Sequence, residues 1–156
     1  MDKEYLEYEP FLKAIANNTL RTRAELSLKY YIKMAVRYKW LWNILSLAGI
    51  VLPAAATFFA SLDVTEYHTT IILITAGTTV CTGSLALFKC ADKKTSYRKS
   101  AENLKSELCA YASHKGVYSD EAEDRDKLLF ERMESIIKEG YEKIKALENN
   151  ADTNKG

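Results

Sequence analysis

Two uncharged stretches, Trp40 to Leu62 and Tyr67 to Phe88, lie back to back in the chain, with only Asp63-Val64-Thr65-Glu66 between them. At 1.5 Å per residue, about 22 residues make a helix roughly 33 Å long, enough to cross a hydrocarbon core of about 30 Å. A chain of 156 residues with two such stretches has two ways to fold: a transmembrane hairpin, or a helical hairpin buried in a soluble globule. Soluble cores seldom need two adjacent charge-free runs at bilayer length, so the pattern predicts the transmembrane hairpin. Leu, Ile, Phe and Val each favour insertion by about 0.3 to 0.6 kcal/mol near a helix centre. The first stretch has ten such residues, for roughly −4.5 kcal/mol in all. The second has eight, diluted by threonines, and is expected to insert as the partner of the first. Whole-chain averages conceal this: net charge is +1, charged residues make up 28% and mean hydropathy is −0.23.

The basic residues give an orientation. Lys29, Lys33, Arg37 and Lys39 lead into the first stretch, and Lys89, Lys93, Lys94, Arg98 and Lys99 follow the second. The link between them carries Asp63 and Glu66 instead. The positive-inside rule then places both termini in the cytoplasm and the link outside, for a multi-pass membrane protein. Tyr38, Trp40 and Trp42 fall at the cytoplasmic interface and Tyr67 at the outer one, where amphipathic rings are favoured. The first nine residues are acidic and lack an apolar core, so no cleavable signal is expected and the first span serves as its own insertion signal.

The flanking segments read as helix, which makes the expected fold all-α: a two-helix transmembrane hairpin continuous with a cytoplasmic antiparallel helical bundle. The divisions are 1–39, cytoplasmic helices; 40–62, first span; 63–66, external loop; 67–88, second span; 89–148, a cytoplasmic helical hairpin; 149–156, a disordered tail. Pro10 suits a first helical turn, Asn17-Asn18 interrupts the pattern, and Asn18 or Thr19 is expected to cap the next helix. From there Leu20, Ala24, Leu28, Tyr31, Ala35, Tyr38 and Trp42 form a stripe running unbroken into the membrane. Tyr97, Ala101, Leu104, Leu108 and Tyr111 form a second stripe, with Arg98 and Glu102 spaced to pair on its outer side. Gly116 breaks the chain. Asp120 with Glu123 resembles a capping box, Asp124 and Asp126 adding charge near the positive end of the dipole. The last stripe is Leu129, Met133, Ile136, Ile137, Tyr141, Ile144 and Leu147. Each stripe is one apolar seam on a charged helix, so the seams are expected to pack together.

The run Tyr97-Arg98-Lys99-Ser100-Ala101-Glu102-Asn103-Leu104-Lys105-Ser106-Glu107, continuing to Tyr111 and then Gly116-Val117-Tyr118, resembles the segment after the second span in the SLATT superfamily. Those are two-transmembrane effector domains associated with SMODS nucleotidyltransferases and SLOG nucleotide sensors in bacterial defence loci. Leu129 to Ile137 and Lys29-Tyr30-Tyr31 are similar too, so the resemblance extends over roughly residues 20 to 147. It implies a defence effector that oligomerises and permeabilises the inner membrane on activation, with a nucleotide-sensing protein or nucleotidyltransferase as a partner.

The residues themselves leave the pore question open. His68, Thr75, Thr78, Thr79, Thr82, Ala86 and Lys89 share one face of the second span at 100° per residue. That face suits the lining of a water-filled path in a homo-oligomer. It equally suits helix packing, because small residues let backbones approach, and the first span offers Ser46, Gly49, Pro53, Ala56 and Ala60. No ionisable residue lies at mid-membrane, which argues against a proton relay or a charged selectivity ring.

Catalytic, cofactor and metal signals are weak. Cys81, Cys90 and Cys109 have no paired spacing, His68 and His114 lack a second ligand at metal spacing, and no phosphate loop or nucleophile elbow occurs. The expectation is a non-enzyme without cofactor. The basic run from Arg21 to Lys39 adjoins the membrane, so anionic lipid is its expected partner, at about 1 kcal/mol per basic residue, rather than nucleic acid. The alternative function is a membrane anchor or adaptor whose cytoplasmic bundle recruits a separate sensor or enzyme.

Overall fold

The computed structural model describes residues 6–62, 64–119 and 124–152. Every regular element among them is helical: α1 (Glu9–Lys13), α2 (Asn18–Leu62), α3 (Val64–Phe88), α4 (Cys90–Ala112), a 3₁₀ turn (Gly116–Tyr118) and α5 (Arg125–Asp152). Pro10 stands in the first turn of α1 as expected, where its missing N–H is no loss. The cap of α2 is Asn17 rather than Asn18 or Thr19. Its Oδ1 accepts from the backbone N–H of Thr19 at 3.0 Å and Leu20 at 3.3 Å. A cap side chain reaches only N–H groups two or three residues ahead, so one step in sequence decides which asparagine serves.

At 45 residues α2 is about 68 Å long and passes through two surroundings without a break. Its first half lies in a bundle with α4 and α5, closed off at one end by α1, and its second half pairs with α3 in an antiparallel hairpin. The link between the hairpin helices is shorter than the expected 63–66. Val64, Thr65 and Glu66 already belong to α3, where Glu66 in the first turn complements the positive end of the dipole. Asp63 lies outside the described residues. At the other end of α3, Lys89 adopts a left-handed conformation (φ 43°, ψ 46°) and α4 begins at Cys90. The two long paths therefore differ: α2 runs straight through, whereas α3 and α4 meet at a single residue in a region that side-chain-bearing residues disfavour.

The bundle core is built from the predicted seams. Leu20, Ala24, Leu28, Tyr31 and Ala35 of α2 meet Tyr97, Ala101, Leu104, Leu108 and Tyr111 of α4, with Leu129 and Met133 of α5 closing over them. Ile136, Ile137 and Ile144 pack against this cluster from its edge. Tyr141 departs from expectation and stands 64% exposed. The N-terminus of α5 also differs. The helix begins at Arg125, and Asp124 Oδ1 accepts from the N–H of Lys127 at 3.2 Å, so Asp124 is the cap. The expected capping box, Asp120 and Glu123, lies outside the described residues. The helix persists to Asp152, past Asn149, where a tail was expected.

No described residue from 36 to 89 is buried. The apolar windows of the two hairpin helices have mean hydropathy 1.9 and are 0% buried, so both are long and apolar enough to cross a membrane. Ile50, Leu73 and Val80 are each about two-thirds exposed. Soluble monomers rarely present a continuous apolar patch beyond a few hundred Å². The hairpin is not the core of a globule: its outer surface is left bare by the rest of the chain.

Candidate functional site

The hairpin seam runs through its smallest residues. A Cβ on Gly49 would lie 3.6 Å from Thr82 Cγ2, and one on Gly77 would lie 3.7 Å from Leu52 Cδ1, so each glycine receives a side chain of the facing helix. Phe59 and Tyr67 close the tip, with ring centroids 5.4 Å apart. Of the predicted small-residue face, Ser46, Gly49 and Ala56 are half-buried in this seam, whereas Pro53 and Ala60 point outward. The threonine stripe divides too: Thr78 is half-buried, while Thr75, Thr79 and Thr82 are exposed along with His68 and Ala86. The packed strip of α3 (Ile71, Ile74, Gly77, Cys81) is centred roughly a quarter turn from the threonine stripe, and the two overlap at Thr78 and at the methyl of Thr82.

All four threonine hydroxyls bond back to their own helix. Thr75 donates to Ile71 O at 2.7 Å, Thr78 to Ile74 O at 3.0 Å, Thr79 to Thr75 O at 3.1 Å and Thr82 to Thr78 O at 3.0 Å. Their protons are satisfied without water, which is how hydroxyls tolerate an apolar medium. The exposed face therefore presents methyl groups and spare oxygen lone pairs, compatible with lipid, a second copy or a water-filled path.

The run from Tyr97 to Tyr118 turns out to be architectural. Tyr97, Ala101, Leu104, Tyr111 and Tyr118 are buried in the bundle. Arg98 and Glu102 form the predicted ion pair at 2.7 Å on its surface. Glu107 ties three elements together: Oε2 accepts from Tyr118 of the 3₁₀ turn at 2.7 Å, and Oε1 accepts from Arg132 of α5 at 3.0 Å. Gly116 at φ +63° supplies the left-handed step that brings Tyr118 back onto α4. Burial, with the Glu107 carboxylate beside it, pushes the Tyr118 hydroxyl pKa well up. Tyr111 rises to about 12, mainly by burial and then through its bond to Asp126. His114 faces Arg125 Nη1 at 3.1 Å.

Sequence reading missed a cluster of tyrosines where α2, α4 and α5 meet. Tyr38 stacks on Tyr97 at 5.4 Å, and Tyr30 and Tyr31 each lie 6.1 Å from Tyr97. A cleft of about 460 Å³ opens beside them, with Leu26, Tyr30 and Tyr141 exposed along it. The spacing of 30, 31, 38 and 97 carries no local signal, because the cluster exists only once α4 returns along α2. Also missed was Gly140, where a Cβ would come within 2.7 Å of Ser100 Oγ and 3.0 Å of the Tyr31 hydroxyl. A lone glycine inside a helical pattern was the available clue. Lys105 is buried as well, its ammonium 3.2 Å from Glu102 and 4.6 Å from the Tyr8 ring centroid. The three cysteines are free, and among the described residues no three His, Cys, Asp or Glu side chains converge as metal ligands would.

A family model described as a protein of unknown function, DUF4231, matches residues 23–126. The chain belongs to the DUF4231 family. The matched range takes in most of α2, the whole hairpin, α4 and the 3₁₀ turn, so in this DUF4231 protein the bare hairpin and the helices that continue it form the family unit. No curated protein and no solved structure matches the chain.

Proposed function

We propose that this DUF4231 protein is a two-span effector of the bacterial inner membrane, resembling the SLATT superfamily, with both termini cytoplasmic. Once activated by an infection signal, it assembles into a homo-oligomer that permeabilises the membrane. The observation that carries the reading is the hairpin itself: two bilayer-length helices, unburied along their apolar windows, continuing into a water-compatible bundle with a core of its own. The exposed threonines Thr75, Thr79 and Thr82 supply a face for contact between copies or for lining a path. Membership of DUF4231 is compatible with the SLATT resemblance.

The test is inducible expression with a membrane-potential dye. Dye loss and growth arrest are expected under activation, and replacing Thr75 and Thr79 together by Leu should reduce conductance while leaving the protein inserted. Retained potential and normal growth under the activating signal would refute the effector reading. A second reading, an anchor or adaptor, is favoured by the cleft beside Tyr30 and Tyr141. It predicts no ion flux from liposomes and a stable co-purifying partner, as would suit a nucleotide-sensing protein or nucleotidyltransferase.

A further inference from the structure

The bundle gathers basic residues that the sequence holds far apart. Beside the root of the hairpin, α2 and α4 border a groove of about 760 Å³ lined by Lys39, Lys94, Arg98 and Lys99, with Glu102 as the one acidic side chain of its lining. Glu102 is already engaged, at 2.7 Å by Arg98 and at 3.2 Å by the buried Lys105. Its charge is therefore matched within the protein, and the groove keeps the positive charge of Lys39, Lys94 and Lys99. The basic run of α2 contributes less than its count suggests, because Arg23 bonds Glu134 at 2.8 Å and Lys29 bonds Glu25 at 2.6 Å.

Position narrows the ligand. Lys39 directly precedes Trp40, the first residue of the uncharged stretch, and the Lys94 ammonium sits 4.4 Å from the Trp42 ring centroid. The groove thus begins where the apolar surface of the hairpin ends. In a bilayer that is the depth of the lipid phosphates, which lie in the layer just outside a core of about 30 Å. Basic pockets between helices at this depth suit anionic headgroups. We infer that this groove is a binding site for the phosphate of an anionic phospholipid headgroup, formed by Lys39 of α2 with Lys94 and Lys99 of α4. The inference rests on the membrane reading of the hairpin but not on permeabilisation.

The experiment uses the full chain in neutral detergent, with native mass spectrometry reading retained phosphatidylglycerol against phosphatidylcholine. Neutralising Lys39, Lys94 and Lys99 to Gln should weaken phosphatidylglycerol retention by about five-fold per lysine. The control K127Q/K138Q/K145Q on α5, with the same loss of charge, should stay within about two-fold of wild type if local geometry rather than net charge decides. Equal retention by wild type and the groove variant would overturn the site, as would equal loss in the control. Inorganic phosphate and soluble glycerophosphate form the other arm: if either displaces phosphatidylglycerol at matched concentration, the occupant is a free phosphate and the lipid assignment falls. The dye experiment fails independently of this one, since lipid retention is read without any flux.

Discussion

Gly140 gives the sharpest test of how α5 seats on the bundle. In a solvent-facing helix, Gly→Ala stabilises by about 0.8 to 1 kcal/mol, because alanine loses less backbone entropy on folding. Here the added methyl would meet Ser100 Oγ at 2.7 Å and the Tyr31 hydroxyl at 3.0 Å. The serine can rotate aside. The tyrosine is less free: its hydroxyl donates to Ile137 O at 3.3 Å and its ring is held between Tyr30 and Tyr97. Overpacking of this kind costs about 1 to 3 kcal/mol. Set against the helix gain, Gly140→Ala should be destabilising by about 1 kcal/mol net. Adding Tyr31→Phe removes the hydroxyl that the methyl would meet, so the double variant should recover much of the loss, with a coupling of about 1 kcal/mol. Urea unfolding of the detergent-solubilised chain, followed by circular dichroism, measures both. If Gly140→Ala alone raised stability by the full helix-propensity gain, α5 could not lie against α2 and α4 as described.

Two further expectations concern the tyrosines and the hairpin. The hydroxyl of Tyr111 titrates at about 12 in the fold against 10.0 for a free tyrosine, so the folded state holds that proton more tightly than the unfolded state. Its contribution is whole below about pH 10 and is lost as pH climbs towards 12, at about 1.4 kcal/mol per pH unit. Tyr111→Phe should therefore show a shallower loss of stability than wild type across that window, and identical slopes in alkaline unfolding curves would refute it. Within the hairpin, Gly77→Leu forces a side chain against Leu52 and should destabilise the seam by about 1 to 3 kcal/mol. Thr79→Leu, on the exposed face, should leave the folded monomer unchanged; equal effects of the two on thermal unfolding in detergent would mean the seam is misassigned.

The bundle was legible because its helices are amphipathic. Leu28, Ala101, Leu108 and Met133 are apolar positions on otherwise charged helices, and period alone marks them as inward. What could not be read is which stripe meets which. The stack of Tyr38 on Tyr97, the clamp of Glu107 on Tyr118 and Arg132, and the seating of Gly140 all join residues more than ten positions apart. Helix ends failed for a smaller reason. Asn17 displaced Asn18, because neighbouring side chains offer the same acceptor and only backbone geometry chooses between them.

In the hairpin the same logic works in reverse. A helix apolar all round has no polar face to define its buried one, so periodicity in 40–88 marked the existence of the spans and not their rotation. Polarity within α3 pointed to the threonines, yet the seam formed a quarter turn away, at Ile74, Gly77 and Cys81, with Thr78 and the methyl of Thr82 shared. Small size, which at Gly49 and Gly77 leaves room for a side chain of the facing helix, chose the interface rather than hydroxyl groups, whose protons are already spent on their own helix. It follows that the outward threonines are not needed to hold one chain together. Thr82 is the exception, because its methyl abuts Gly49; a Thr→Leu series at 75 and 79 can therefore alter how copies meet or what passes between them without unfolding the hairpin, and this separation of roles makes the conductance experiment interpretable.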